Sequence, residues 1–310
     1  MNIITITLNP AFDIHCYVEI FLPFHENLGA ITDRDAGGKG INISKALSAN
    51  NIKNTALLVL GEEDAESFQR DLSKYSVPIK SILLPGRIRE NITIHEKDSR
   101  ETRLSFQGFS ADNSLLDQVF EVISANLSKG DIVTFTGRIP DGIEMASVLS
   151  FLERLTEKGA KIVIDSRSFE LEDIVHAKPW LIKPNQEEIS HYFERPIQSV
   201  EEAVDCAKDL LKLGISNVLI SLGEMGAVLA CKEGTFLAKA PKIDAISTIG
   251  AGDSAIAGFL SASVSGGTPQ DQLASAIAFG SAACLQRGTI PPGKDDVDRL
   301  IRAVQVVEFN

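Results

Sequence analysis

Cysteine is scarce in this chain, which has four cysteines in 310 residues. They stand at positions 16, 206, 231 and 284, so they form neither a C-x-x-C motif nor a zinc-ligand spacing with histidine. The five histidines contain no pair spaced for metal binding either. A disulfide scaffold, a zinc module and Ser-His-Asp or Cys-His catalysis are therefore not expected.

Positive charge is also in short supply, because 30 Lys+Arg against 42 Asp+Glu give a formal net charge of −12. A general nucleic-acid binder needs a basic surface to displace counterions, so this class is excluded. No apolar run approaches the roughly 18 residues of a membrane span, and the first residues, MNIITITL, lack the basic segment of a secretory signal. We predict a cytoplasmic protein without nucleic-acid or membrane partners, in which any anion site must gather its positive charge locally.

Short apolar segments alternate with amphipathic stretches along most of the chain, which predicts an α/β fold with a mostly parallel sheet covered by helices. The predicted strands are residues 3–8, 55–60, 131–136, 161–165, 180–183 and 217–222. The predicted helices are residues 41–49, 115–127, 145–157, 200–213, 254–263, 270–285 and 295–307. Residues 13–32 and 87–109 instead contain strands without intervening helices. We expect these two segments to form a small antiparallel sheet, either a lid over a cleft or a pair of edge hairpins.

The sharpest motif is Gly250-Ala251-Gly252-Asp253, directly before an apolar helical stretch. Its glycines permit a tight turn whose backbone N–H groups point at an anion from a helix N-terminus. Asp253 adds a carboxylate beside that anion site, which is the pairing that phosphoryl transfer to an alcohol needs. The alternatives are a plain glycine turn and a dinucleotide-binding G-x-G-x-x-A pattern. The second is weak, because Ser275 stands about twenty residues on, where an acidic residue is expected.

A second glycine loop, Gly37-Gly38-Lys39-Gly40, leads into a predicted helix that contains Asn42. It is not a Walker A loop, because Asp33 stands at the position of the first glycine and Gly40 follows the lysine. The loop can still bring backbone N–H groups, one ammonium and one amide to a polar ligand. The alternative is a helix-starting turn with a solvated lysine.

Further candidates follow the predicted strands. Asn185 and Glu188 fit a helix capping box, and they could equally face a Mg²⁺–phosphate assembly. The turn that contains Ser221, Gly223 and Gly226 could pass beneath a nucleotide, or be only a turn. Lys39 and several arginines fall in the predicted lid or at strand ends, where as a group they suit a substrate phosphate, although singly each is more often solvated. These arginines are Arg87, Arg89, Arg103 and Arg138.

Together these motifs resemble the PfkB (ribokinase-like) family of sugar kinases over nearly the whole chain. The order and spacing of five segments carry the resemblance: residues 7–13 (TLNPAFD), 37–42 (GGKGIN), 183–188 (KPNQEE), 221–223 (SLG) and 249–254 (IGAGDS). Within the family, the opening motif and Lys39 are similar to the branch that acts on phosphorylated ketohexoses.

The resemblance implies a single kinase domain over residues 1–310, with a parallel, Rossmann-like sheet flanked by helices. It implies a β-sheet lid from about 13–32 and 87–109 that also makes a homodimer contact. The implied reaction is MgATP-dependent phosphorylation of a ketohexose phosphate, with fructose 1-phosphate converted to fructose 1,6-bisphosphate. ATP and Mg²⁺ are the implied co-substrate and cofactor, and the family also admits a monovalent cation.

The resemblance also implies a role for each motif residue. Asp253 is the general base, with Gly250, Ala251 and Gly252 as the anion hole. The implied substrate-binding residues are Asp13, Gly38, Lys39, Asn42, Arg89, Arg103 and Arg138. The implied nucleotide-binding residues are Asn185, Ser221, Gly223, Gly226, Gly250 and Gly252, and those serving Mg²⁺, directly or through water, are Glu188 and Asn185.

Two departures from the family pattern leave the sugar open. Arg138 stands where the family motif G-S-L-P-x-G has serine, which adds charge at the sugar site. Arg103 is more typical of the branch that phosphorylates fructose 6-phosphate. Tagatose 6-phosphate and fructose 6-phosphate are therefore alternative substrates. A catalytically silent sugar-phosphate sensor and a dinucleotide oxidoreductase are alternatives from other classes.

Overall fold

Residues 1–98 and 100–309 are described by a computed structural model and form two β-sheets, the larger of them flanked by helices. Ser99, in the predicted segment 87–109, and Asn310, at the end of the predicted domain, lie outside the described residues. The strands are β1 Ile3–Thr7, β2 Ala11–Val18, β3 Ala30–Gly37, β4 Thr55–Gly61, β5 Ile79–Leu84, β6 Arg89–Glu96, β7 Glu101–Ser105, β8 Ile132–Thr136, β9 Lys161–Asp165, β10 Leu181–Ile182, β11 Asn217–Ser221, β12 Ala227–Cys231, β13 Gly234–Ala238 and β14 Val306–Glu308. The helices are α1 Lys39–Ala49, α2 Ala65–Ser73, α3 Ser114–Ser124, α4 Met145–Glu157, α5 Leu171–Ala177, α6 Gln186–Tyr192, α7 Val200–Lys212, α8 Ala251–Val264, α9 Pro269–Cys284 and α10 Lys294–Ala303, with a 3₁₀ turn at Gly223–Met225.

The large sheet has the strand order β14-β13-β12-β11-β10-β9-β8-β1-β4-β5. Its strands from β11 to β5 run parallel, as in the pairs Ile4 with Thr55 and Ile3 with Ile132. Their continuous apolar sequences suit strands whose two faces are both covered by helices. The predicted parallel sheet is confirmed, including all six predicted strands.

The other end of the large sheet is antiparallel, because β11, β12, β13 and β14 pair as a meander. The prediction of a helix over 295–307 is therefore wrong at its end. The helix stops at Ala303, Val304 is extended, and Val306–Glu308 pairs with β13. β-branched residues beyond a helix end favour this extended conformation.

The small sheet has the order β3-β2-β6-β7 and contains strands from both segments predicted as a lid. It is mixed rather than antiparallel, because its central pair, β2 with β6, is parallel. The physical reason is connectivity: the chain leaves β3, builds α1, β4, α2 and β5 of the main body, and returns to β6 in the original direction. A parallel pair needs such a long crossover, which local alternation of residues does not reveal.

Two groups of helices cover the large sheet. Helices α3, α4, α5, α6 and α7 pack on one face, around side chains such as Phe135 and Phe151. Helices α1, α8, α9 and α10 pack on the other, where Phe259 and Leu260 lie in the core. None of the helices in residues 1–98 and 100–309 combines the length and apolar character needed to cross a membrane.

This architecture brings several chain segments together at one edge of the large sheet. Parallel strands β1, β8, β9, β10 and β11 end there with Thr7, Thr136, Asp165, Ile182 and Ser221. The small sheet begins beside the same edge, because β2 starts only a few residues after β1. The carboxyl ends of parallel strands are where α/β proteins bind ligands, so this edge is the candidate site.

Candidate active site

Asp253 lies in the first turn of α8, where it is 7% exposed. The helix is preceded by Gly250, whose φ of 76° is in the left-handed region that glycine adopts without strain. This turn leaves the first backbone N–H groups of α8 free to bind an anion. Residues 239–250, all of them described, contain no strand, so the strand–turn–helix context of a dinucleotide-binding fingerprint is absent here.

The Asp253 carboxylate is held by Asn42 of α1, whose Nδ2 donates to Oδ2 over 2.8 Å. Burial raises the pKa of Asp253 to about 6, although the positive charge of Lys39 and the Asn42 hydrogen bond act in the opposite direction. A carboxyl group with a pKa just below neutrality is ionised at physiological pH and still basic enough to accept a proton during a reaction.

Two lysines and a second carboxylate surround this centre. Lys39 Nζ lies 3.1 Å from Asp165 Oδ2, and Lys183 Nζ lies 3.9 Å from the same atom. Burial would raise the pKa of Asp165, but the two ammonium groups lower it. The pKa of Lys39 is raised by the nearby carboxylates of Asp165 and Asp253, against the effect of its own burial.

Asp165 and Lys183 were not among the predicted site residues. Lys183 also lies against the predicted anion hole, because its Nζ would be 3.1 Å from a β-carbon placed on Gly252. Two sequence signals could have identified the pair: Asp165 ends a buried predicted strand, and Lys183 immediately precedes the Pro-Asn of the predicted nucleotide motif. Both are charged and about 5% exposed, which is rare for solvated residues.

The small sheet contributes a second set of polar groups. Asp13 Oδ1 accepts a hydrogen bond from Asn91 Nδ2 over 2.8 Å, and Asn91 Oδ1 accepts one from Arg89 over 3.1 Å. Burial raises the pKa of Asp13 in spite of these partners. A β-carbon on Gly37 would collide with Asp13 Oδ2, so a residue larger than glycine would displace this carboxylate. Asn91, which joins Arg89 to Asp13, was also missed by the sequence analysis.

The predicted phosphate-binding cations fall into two groups. Burial and the positive charge of Arg138 lower the pKa of Arg89, against the effect of the Asp13 carboxylate. Arg103 is exposed on β7 and pairs with Glu101 over 3.3 Å. Gly38 precedes α1 directly, so that Lys39 begins the helix and projects toward Asp165.

On the nucleotide side, Asn185 and Glu188 form the predicted capping box. Asn185 Oδ1 accepts from the Glu188 N–H over 2.8 Å, and Glu188 Oε2 accepts from the Asn185 N–H over 3.0 Å. Glu188 Oε1 accepts a hydrogen bond from Arg167. The predicted capping box is therefore confirmed, and Glu188 Oε1 takes no part in it.

A cleft of about 1540 Å³ lies between the turn at Gly223–Gly226 and the start of α8. Its walls include residues from three of the predicted motifs: Asn185, Ser221, Gly223, Gly226, Ala251 and Gly252. Lys183 lines it too, so the cleft reaches the lysine–carboxylate cluster. Within residues 1–98 and 100–309, no three His, Cys, Asp or Glu side chains are grouped closely enough to hold a metal by themselves.

A buried carboxylate at a helix N-terminus, beside two ammonium groups and a large cleft, is the arrangement of a phosphotransferase site. The model of the pfkB family carbohydrate kinases matches residues 11–296, so the chain belongs to the PfkB family of carbohydrate kinases. It is therefore a phosphotransferase with an alcohol acceptor, as the sequence motifs predict.

Several known proteins are similar to this chain. It is 29% identical over 309 residues to 1-phosphofructokinase of Escherichia coli (strain K12), covering 100% of this chain and 99% of that protein. It is 32% identical over 258 residues to 1-phosphofructokinase of Bacillus subtilis (strain 168), covering 83% and 84% of the two chains. The crystal structure of phosphofructokinase-2 from Escherichia coli in complex with substrates and products superimposes with a TM-score of 0.89 at 24% identity, covering 98% of this chain and 99% of that one. The similarity to this structure confirms the predicted ribokinase-like fold.

Proposed function

We propose that the protein transfers a phosphoryl group from ATP to a ketohexose phosphate, and that fructose 1-phosphate, phosphorylated at its 6-hydroxyl, is the substrate. The single observation that carries the reaction class is the buried Asp253, with a pKa of about 6, beside the Gly250–Gly252 turn. The substrate assignment is supported by the full-length relatives named 1-phosphofructokinase.

The mechanism follows from these positions. An Asp253 carboxylate oxygen takes the proton of the sugar hydroxyl as the hydroxyl oxygen forms its bond to the γ-phosphorus of ATP. The bond from that phosphorus to the bridging oxygen breaks, and ADP leaves. The N–H groups at the start of α8 stabilise the negative charge on the transferred phosphoryl group. Lys183, adjacent to Gly252, adds an ammonium group on the same side. Lys39 balances Asp165 and keeps Asp253 ionised by lowering its pKa.

We assign the specificity for a phosphorylated sugar to the small sheet and to the loop after β8, which contains Arg138. Asp13 and Asn42 would bind sugar hydroxyls, since Asp13 Oδ2 and Asn42 Oδ1 are left over by the hydrogen bonds described above. Arg89 and Arg138 would bind the substrate phosphate, because two neighbouring guanidinium groups are stabilised by an anion between them. Arg103 and Lys39 are further predicted contacts to that phosphate.

Glu188 is the residue best suited to hold Mg²⁺, with Asn185 acting through water. Its side chain is 15% exposed, and carboxylate oxygens are the ligands that Mg²⁺ prefers. Asp165 offers a second carboxylate nearby. Mg²⁺ held by these residues would neutralise negative charge on the nucleotide phosphates. Activation by a monovalent cation stays a prediction, which the potassium complex of Escherichia coli phosphofructokinase-2 makes worth testing.

The small sheet is proposed to act as a lid and as a homodimer contact of one kinase domain, residues 1–310. Large apolar side chains are exposed on this sheet and on the loop between β2 and β3: Tyr17, Ile20, Leu22, Phe24, Leu28, Ile31, Leu104 and Phe106. Such a concentration is unusual on a monomer and is typical of an interaction surface. A tetrameric form of Escherichia coli phosphofructokinase-2 supports assembly in this fold.

A second candidate is phosphorylation of fructose 6-phosphate or tagatose 6-phosphate at the 1-hydroxyl, favoured by Arg103 and by the departure at Arg138. The test is MgATP-dependent ADP release with fructose 1-phosphate, fructose 6-phosphate, tagatose 6-phosphate and free fructose. We expect the highest kcat/KM with fructose 1-phosphate. A preference for a 6-phosphate would select the second candidate, and no stimulation by any sugar phosphate would favour a catalytically silent sensor.

A further inference from the structure

Arg167 is a cation at the nucleotide side of the cleft that no motif singles out. It follows β9 by two residues and reaches across to the start of α6. Its Nε lies 3.3 Å from Glu188 Oε1, and its Nη2 lies 3.1 Å from Glu187 Oε2. The Arg167 side chain is 67% exposed, whereas that of Glu188 is 15% exposed. A largely exposed guanidinium is thus paired with a nearly buried carboxylate.

Both oxygens of Glu188 are engaged in this arrangement. Oε2 accepts from the Asn185 backbone N–H over 3.0 Å, and Oε1 accepts from Arg167. Each oxygen keeps a free lone pair, but a divalent cation at Oε1 would be repelled by the guanidinium held 3.3 Å from that atom, so the ion and Arg167 compete for it. The hydrogen bond from the Asn185 N–H to Oε2 is part of the cap that starts α6. The Arg167 contact at Oε1 is an exposed ion pair, and such pairs contribute little free energy. Arg167 is the partner that yields.

We propose that Arg167 is a resident counter-cation of Glu188, which a divalent metal ion displaces from Oε1 when it binds. This inference rests on the proposed role of Glu188 in Mg²⁺ binding. The guanidinium balances the charge of the buried carboxylate while no metal is bound. Because the metal must displace it, Arg167 raises the metal concentration at which the site is half occupied. Arg167 is in this sense a positioning residue that competes with the metal.

The test measures Mn²⁺ binding by electron paramagnetic resonance in the presence of saturating ADP. Arg167→Gln should bind Mn²⁺ about 2- to 5-fold more tightly than the unmodified protein, the range that corresponds to losing one exposed ion pair. The Mg²⁺ concentration for half-maximal activity should fall by the same factor.

The chain contains a matched control. Arg195 pairs with Glu202 over 3.7 Å, and Glu202 belongs to the Ser199 capping box of α7, so the local arrangement is similar at a carboxylate that is not proposed to hold the metal. Arg195→Gln should leave Mn²⁺ affinity unchanged. An equal gain in the two variants would mean that net charge alone controls the affinity, which would overturn the proposal.

Glu188→Gln separates this inference from the function on which it rests. Glutamine still completes a capping box, so α6 should keep its start. If Glu188→Gln does not weaken Mn²⁺ binding, the proposed metal role of Glu188 fails. If it does weaken binding, then Arg167→Gln must tighten binding only while Glu188 is present. A gain that persists in the double variant, or no gain in Arg167→Gln alone, refutes the exchange.

Discussion

Replacing Asp253, the proposed general base, should make the enzyme inactive and more stable at the same time. In Asp253→Asn the buried charge is removed while the amide oxygen can still accept the hydrogen bond from Asn42. Loss of the general base should lower kcat by roughly 10²–10⁴-fold, with nucleotide binding retained. The fold, by contrast, no longer has to keep a carboxylate ionised in a site that is 7% exposed.

The size of the stabilisation follows from the pKa. The folded pKa of Asp253 is about 6 against 3.8 for the ordinary side chain. Each unit of difference corresponds to about 1.4 kcal/mol, so ionised Asp253 destabilises the native state by about 3 kcal/mol above pH 6. As the pH falls below 6, Asp253 takes up a proton in the folded protein before it does so in the unfolded chain. The destabilisation therefore disappears by about pH 4. The stability gain of Asp253→Asn should therefore be full at pH 8 and vanish toward pH 4.

The assay is urea denaturation of both proteins at pH 5, 6, 7 and 8, paired with kcat at each pH. The difference in unfolding free energy should grow between pH 5 and pH 7 and then stay level. Two results would refute the reasoning: a variant less stable than the parent at pH 8, or a stability difference independent of pH. Near-normal turnover in Asp253→Asn would show that this residue is not the base.

Three further predictions test the groups around the base. Lys39→Met should raise the pKa of the catalytic carboxylate, so the acid limb of the kcat/KM profile should move up by about one pH unit; a stationary limb would contradict this. Arg138→Ser should mainly raise the KM for the sugar phosphate, and an unchanged KM would remove Arg138 from the site. Gly37→Ala should raise that KM at least about 10-fold, because the new methyl group collides with the Asp13 carboxylate. Gly293→Ala, which meets open space, is its control and should behave as the parent.

The sequence predicted those parts of the fold that local patterns encode. Apolar β-branched runs such as residues 161–165 predict strands. The amphipathic period of residues 145–157 predicts a helix, and α4 has these bounds. The direction of the β2–β6 pair could not be read in this way, because it depends on a crossover through the main body. The strand at Val306–Glu308 was missed for a similar reason, since its partner lies on distant β13.

The candidate site likewise contains residues that local sequence patterns predict and residues that they do not. Glycine turns have a local signature, so the Gly250–Asp253 segment and the loop before Lys39 were predicted. The contacts made by Asp165, Lys183 and Asn91 have no such signature, because each of them joins residues far apart in the chain. Only the folded sheet edge brings these groups together, and the burial of Asp165 and Lys183 distinguishes these two from solvated residues.

The hydrogen bond between Asn42 and Asp253 has a consequence for the order in which the protein is made. The two residues are 211 positions apart, so at about 5–20 residues per second a ribosome adds Asp253 roughly 10–40 s after Asn42. All the parallel strands, from β1 to β11, are synthesised before α8, which begins at Ala251. The proposed catalytic centre can therefore be completed only after about four-fifths of the 310 residues have been synthesised, and until then the growing chain has no Asp253 to accept a proton.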